Sequence, residues 1–167
     1  MSRIARHLPT LPDLLPARGW VWKVALAGLC GSITHTLLMF AKARLGILQS
    51  FQPYQSLQIA LSDWTGRHVH AAVPWLISYL NGSTAAGFLF ARPYWHLPGK
   101  SGLMKGLIAG LLGWLAMDLI FLPLLGLGPF AMKLGLGLGP ALFSLWMMLT
   151  YSVVMGIVYS MIYAIPI

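Results

Sequence analysis

The sequence predicts an all-α membrane protein: a bundle of four transmembrane helices, with short interfacial helices in its outer connections. Three observations carry this. The 167 residues are 58% hydrophobic and only 8% charged, with a mean hydropathy of +0.77. A soluble domain carries roughly 25% charged residues. Four apolar runs approach the length of about 20 residues that crosses a hydrocarbon core, at residues 20–40, 71–90, 103–122 and 141–162. Small residues recur every fourth position along three of these runs, the pattern by which helices approach closely in lipid.

Taken in order, residues 1–19 mix Arg3, Arg6, His7 and Arg18 with Pro9, Pro12 and Pro16. The prolines forbid a long helix, so this is a basic interfacial arm ahead of a four-span domain at 20–167. The first span, 20–40, competes with a cleaved signal peptide, because basic residues precede it and Ala41-Lys42-Ala43 follows. The run exceeds the roughly 7–15 apolar residues of a signal peptide, which favours a span. Its Cys30 is the single cysteine, so no intrachain disulfide forms, and it reads as a small apolar residue.

In the next connection Tyr54, Leu57, Leu61 and Trp64 recur at helical spacing, opposite Gln52, Gln55, Gln58 and Ser62. With Pro53 suited to a first helical position, 53–64 reads as a helix lying in the interface with its aromatic rings at headgroup level. The second span, 71–90, carries Pro74 in its first turn and ends at Arg92-Pro93-Tyr94-Trp95, a basic and aromatic membrane edge. A tight turn at 96–100 leads to the third span, 103–122, which stops at Pro123. The glycine-rich stretch 126–139 precedes the fourth span, 141–162.

The net charge of +8 would raise nucleic acid as a partner in a soluble chain. Here Arg18, Lys23, Lys42, Arg44, Arg67, Arg92, Lys100 and Lys105 flank the spans, the placement of headgroup anchors. Seven Lys and Arg fall on the side of the N-terminal arm and four on the other. That bias puts both termini in the cytoplasm. A repeat is visible between the halves: Gly28-x-x-Gly31 against Gly110-x-x-Gly113, and Gly87-x-x-Phe90 against Gly156-x-x-Tyr159. Two spans per half make this a parallel duplication of a helix pair.

The packing candidates are Gly102, Gly106, Gly110 and Gly113 on the third span, Gly156 on the fourth, Gly28 and Gly31 on the first, and Gly87 on the second. Two polar residues raise a functional question. Asp118 lies roughly 20 Å along the third span and His35 roughly 22 Å along the first, at 1.5 Å per residue. An intramembrane charge costs about 2.5–3.5 kcal/mol on insertion scales, so such residues pair or turn inward. The sharper reading is a His35–Asp118 pair that relays protons or orients a ligand. The plainer one is structural hydrogen bonding, with Asp118 held by Thr36 or the backbone. His35, Met39, His68 and His70 are the weak metal candidates, of a kind that suits copper or haem. Their spacing matches no specific ligand motif, and no cofactor is expected. No nucleophile–base arrangement, phosphate loop or zinc-protease motif occurs, and three acidic residues give little material for hydrolysis.

Several short motifs stand in a definite order: Gly28-x-x-Gly31 leading to Leu38-Met39, Leu97-Pro98-Gly99, and Lys105-Gly106 into Gly110 and Trp114-Leu115-x-Met117. Gly126-x-Gly128-x-Phe130 and Gly156-x-x-Tyr159 follow. Over roughly residues 25–163 the chain resembles a family of small, uncharacterised bacterial four-helix integral membrane proteins, a domain of unknown function. The resemblance implies a bacterial inner-membrane bundle and nothing catalytic. The expected function is therefore that of a non-enzymatic accessory or structural subunit, with the lipid bilayer, other membrane subunits or its own copies as partners. A homo-oligomeric transporter or channel around His35 and Asp118 is the alternative. A haem- or copper-binding electron-transfer component comes third.

Overall fold

The computed structural model describes residues 19–94 and 96–163. Residues 1–18 of the basic arm, Trp95 and the last four residues lie outside them. The described residues are helical, with no strand. In chain order they form α1 (Trp20–Leu45), α2 (Pro53–Thr65), α3 (Ala72–Asn81), α4 (Gly87–Ala91), α5 (Gly102–Ala116), α6 (Leu122–Leu124) and α7 (Gly139–Tyr163). A π turn, Gly82–Ala86, joins α3 to α4, and another, Met117–Phe121, joins α5 to α6.

Local chemistry sets the helix ends. Gly46 ends α1 in the left-handed region at φ 67°, where its N–H and that of Ile47 reach back to the Ala43 and Lys42 carbonyls. Pro53 opens α2, where a missing N–H costs little. The Ser101 hydroxyl accepts from the Met104 N–H at 3.2 Å and caps α5. The stretch Pro129–Leu134 is a short 3₁₀ segment broken by left-handed Phe130 and Ala131, not a regular interfacial helix.

Among the described residues three helices are long and apolar enough to cross a membrane: Trp20–Leu45, Gly102–Leu124 and Gly139–Tyr163. The first runs on past residue 40, carrying Lys42 and Arg44 into the helix rather than the connection. The expected second span, 71–90, is helical from Ala72 to Ala91 but is not among the three. Ser78, Asn81, Ser83 and Thr84 dilute its hydropathy.

Packing runs in an arc. Residues 72–91 lie on α1, α1 lies on α7, and α7 lies on α5, while 72–91 and 102–124 share no comparable interface. Glycine makes these contacts possible. A Cβ on Gly102 would strike the Gly156 carbonyl, and one on Gly156 the Gly102 carbonyl. Gly106 faces the Ser152 carbonyl, Gly110 the backbone of Met148 and Leu149, and Gly113 the Met148 side chain. On α1, Gly28 meets the Gly82 carbonyl and Gly31 the Tyr151 ring, while Gly87 meets Val24. Each of the eight candidate glycines thus faces another helix.

Two apolar cores sit at opposite ends of the arc. One gathers Val24, Ala27, Phe90, Tyr94, Met155 and Tyr159, the other Phe51, Leu122 and Ala131. The first lies where α1 and α5 begin and α4 and α7 end. Lys23 Nζ sits 5.6 Å from the centre of the Tyr163 ring, which puts the two ends of the described chain on the same side.

Candidate functional site: an intramembrane crevice

Because residues 72–91 and 102–124 stand apart, a crevice of about 590 Å³ opens between them. Its back is α1 and α7, and α2 with Phe51 closes one end. Volumes of about 300–1,000 Å³ are those of small-molecule sites. Both π turns border it, Gly82 and Ala86 from one and Met117, Ile120 and Phe121 from the other. A π turn adds a residue to a helix and recurs at functional sites. The walls are predominantly apolar, and among the described lining residues none is Lys, Arg, Asp or Glu.

A short polar row runs along the crevice. The Tyr54 hydroxyl lies 3.1 Å from His35 Nδ1 and 3.0 Å from Ser78 Oγ. Its ring stacks on Trp75 with centroids 4.0 Å apart, which fixes where the hydroxyl stands. Burial pushes the Tyr54 hydroxyl above the ordinary phenol range, the nearby Tyr79 adding to the effect and the Ser78 hydrogen bond opposing it. The Tyr151 hydroxyl donates to the Gly82 carbonyl at 2.7 Å, tying α7 to the first π turn.

His35 and Asp118 are not brought together as a hydrogen-bonded pair. His35 bonds to Tyr54 of α2, folded back over the crevice. Asp118, fully buried in the second π turn, takes the Ser144 hydroxyl at 2.9 and 3.1 Å. Trp114 Nε1 in turn donates to Ser144 Oγ and the Ala141 carbonyl, both at 3.1 Å. Thr36, the sequence-based partner for Asp118, instead meets the Tyr79 hydroxyl at 2.8 Å and the Ser32 carbonyl at 2.9 Å. Tyr54 stands 19 residues from His35, Ser144 26 from Asp118 and Tyr79 43 from Thr36, so spacing along one helix cannot reveal them.

The metal candidates are dispersed. Met39 is buried, His68 and His70 are exposed, and His70 Nδ1 accepts the Ala72 N–H at 3.2 Å. Among the described residues no three His, Cys, Asp or Glu side chains cluster. Tyr54 and Leu57 of α2 line the crevice, since α2 lies against the bundle, and Trp64 alone of that face is largely exposed. Three lysines expected as headgroup anchors, Lys23, Lys42 and Lys105, are buried. Lys42 Nζ donates to the Phe51 carbonyl at 2.6 Å and lies 5.9 and 5.8 Å from the Phe51 and Phe143 rings. Lys105 sits 4.1 Å from the Tyr94 ring centre. Aromatic faces and carbonyls replace part of the lost water shell.

No curated protein and no solved structure matches the chain. A family model does, over residues 20–166, which take in all of the described helices. The chain belongs to the family of unknown function DUF6789.

Proposed function

We propose that this chain is a non-catalytic integral membrane protein of the bacterial inner membrane that crosses it four times, with both termini cytoplasmic. In this reading it is an accessory component that holds a membrane constituent for a larger membrane complex. The observation that supports this is the crevice. It is large enough for a guest, lined by apolar walls with a few placed polar groups, and bordered by both π turns. The segment 72–91 counts as the fourth span because its 20 helical residues reach the length of about 20 that crosses a hydrocarbon core and lie along α1.

Each half offers a helix, a connection with a short helical stretch and a returning helix, which supports a parallel duplication. The π turns fall on the second helix of one half and the first of the other, so the halves line the crevice differently. The transporter or channel alternative has less support, because His35 and Asp118 hold different partners.

The test is a tagged purification in mild detergent, with co-purifying polypeptides and lipids quantified against bulk membrane. A stoichiometric guest or partner retained by the natural chain and lost from Ala116→Trp, which fills the crevice, is the expected outcome. Retention of nothing beyond bulk lipid would sink the reading.

A further inference from the structure

The hydrogen bonds of the His35–Tyr54–Ser78 row do not close on themselves. With its imidazole neutral, the row holds three protons, one on each group. Two contacts, Tyr54 to His35 Nδ1 and Tyr54 to Ser78 Oγ, use two of them. Whichever way the bonds run, one donor is left without a partner inside the row. An imidazolium would leave two. All three residues line the crevice. Among the described residues no further acceptor meets His35, Tyr54 or Ser78 for that third proton. The spare donor is therefore left for whatever fills the space.

The guest must bring an acceptor oxygen to that donor. It must also be uncharged, since among the described lining residues none is Lys, Arg, Asp or Glu and a neutral His35 brings no charge to offset one. A charge taken out of water without a partner is strongly penalised. The rest of the guest faces Ile77 and Leu89 on one wall and Ile120, Phe121 and Leu124 on the other, a surface for a hydrocarbon chain. Resting on the proposed binding role of the crevice, we infer that its occupant is a neutral carbonyl-bearing membrane lipid, its oxygen on the His35–Tyr54–Ser78 row and its chain between residues 72–91 and 102–124.

The experiment uses the full chain in phosphatidylcholine nanodiscs with two photoreactive probes of one chain length. One is a diazirine-bearing fatty acyl methyl ester, the other a diazirine-bearing phosphatidylglycerol, and labelled peptides are mapped by mass spectrometry. The methyl ester should label segments 77–89 and 113–124. That labelling should disappear in Ala116→Trp, and also in Leu89→Trp from the facing wall, a position 75% exposed that serves if the first variant misfolds. Tyr54→Phe and Ser78→Ala, which disturb the row and leave the walls intact, should each lower it about fivefold, the value of one hydrogen bond. Phosphatidylglycerol should label only sites insensitive to both tryptophans. If both probes label the crevice and both are blocked, the neutral-head assignment is overturned and the binding role survives. If neither probe responds to the tryptophans, the binding role falls with it. A co-purifying polypeptide cross-linked at the same segments overturns the lipid assignment in favour of a protein occupant.

Discussion

Ser144 holds the buried carboxyl group of Asp118. Both hydrogen bonds to the Asp118 oxygens come from its hydroxyl. Replacing Ser144 by Ala therefore strands a fully buried carboxyl, at a cost of about 1–3 kcal/mol or more. Asp118→Asn keeps a group that can both accept from and donate to Ser144. Detergent melting should show the larger loss for Ser144→Ala, and the opposite order would mean that Asp118 has a partner other than Ser144. Tyr54 makes a separate prediction. Its folded-state proton affinity is raised by burial, while an unfolded tyrosine loses its proton near pH ~10. Above that pH the folded chain binds more protons than the unfolded one, so the contribution of Tyr54 to stability falls as pH rises. Tyr54→Phe should make the alkaline fall in melting temperature shallower. The sequence marked His35 and Asp118 as residues needing partners, because polar groups in apolar runs always do. It could not name those partners, since Tyr54 and Ser144 reach them only after α2 folds back and α7 packs on α5.

Helix pairing rests on contacts too close for any side chain. Gly156→Leu and Gly106→Leu would drive carbon atoms into the facing backbones of α5 and α7. Overpacking costs about 1–3 kcal/mol where neighbours can shift, and backbone shifts less readily than a side chain. Both variants should melt well below Leu112→Ala, an outward-facing control, and equal melting would count against the close approach. These contacts were legible, because small residues at four-residue spacing form a ridge whatever they face. The π turns were not legible. Gly82–Ala86 opens on a Gly-Ser pair, and Pro123 follows Met117–Phe121. Such residues mark a weak point in a helix without saying that it widens there, and the Tyr151 hydroxyl on the Gly82 carbonyl comes from a distant helix.

The arc places connections at two opposite ends. Cysteines substituted for Gly19 and Lys100, in a Cys30→Ala background, should react with an impermeant maleimide from one side of a sealed vesicle. Those at Gln49 and Arg67 should react from the other. All four positions are exposed. Labelling of Lys100→Cys and Gln49→Cys from one side would contradict four crossings. Composition and run length made the helical class and the boundaries of α1, α5 and α7 readable within a few residues. The openness of the arc was not, because it depends on which helices fail to touch. The same holds for the three buried lysines, whose aromatic neighbours come from distant parts of the chain.

A π turn can also be regarded as one surplus residue wound into a helix. Excising Thr84 should let 72–91 relax into a regular α-helix with a better-formed hydrogen-bond ladder. Because the wider turn absorbs that residue within itself, everything after it would keep its face and shift by only about one 1.5 Å rise. Gly87 would stay against Val24, and Phe90 near the Tyr94 and Tyr159 rings it now meets edge-on. What the excision would remove is the widened turn itself, where the Tyr151 hydroxyl meets the Gly82 carbonyl. The surplus residue shapes that one contact and leaves the frame of the helix beyond it as it was.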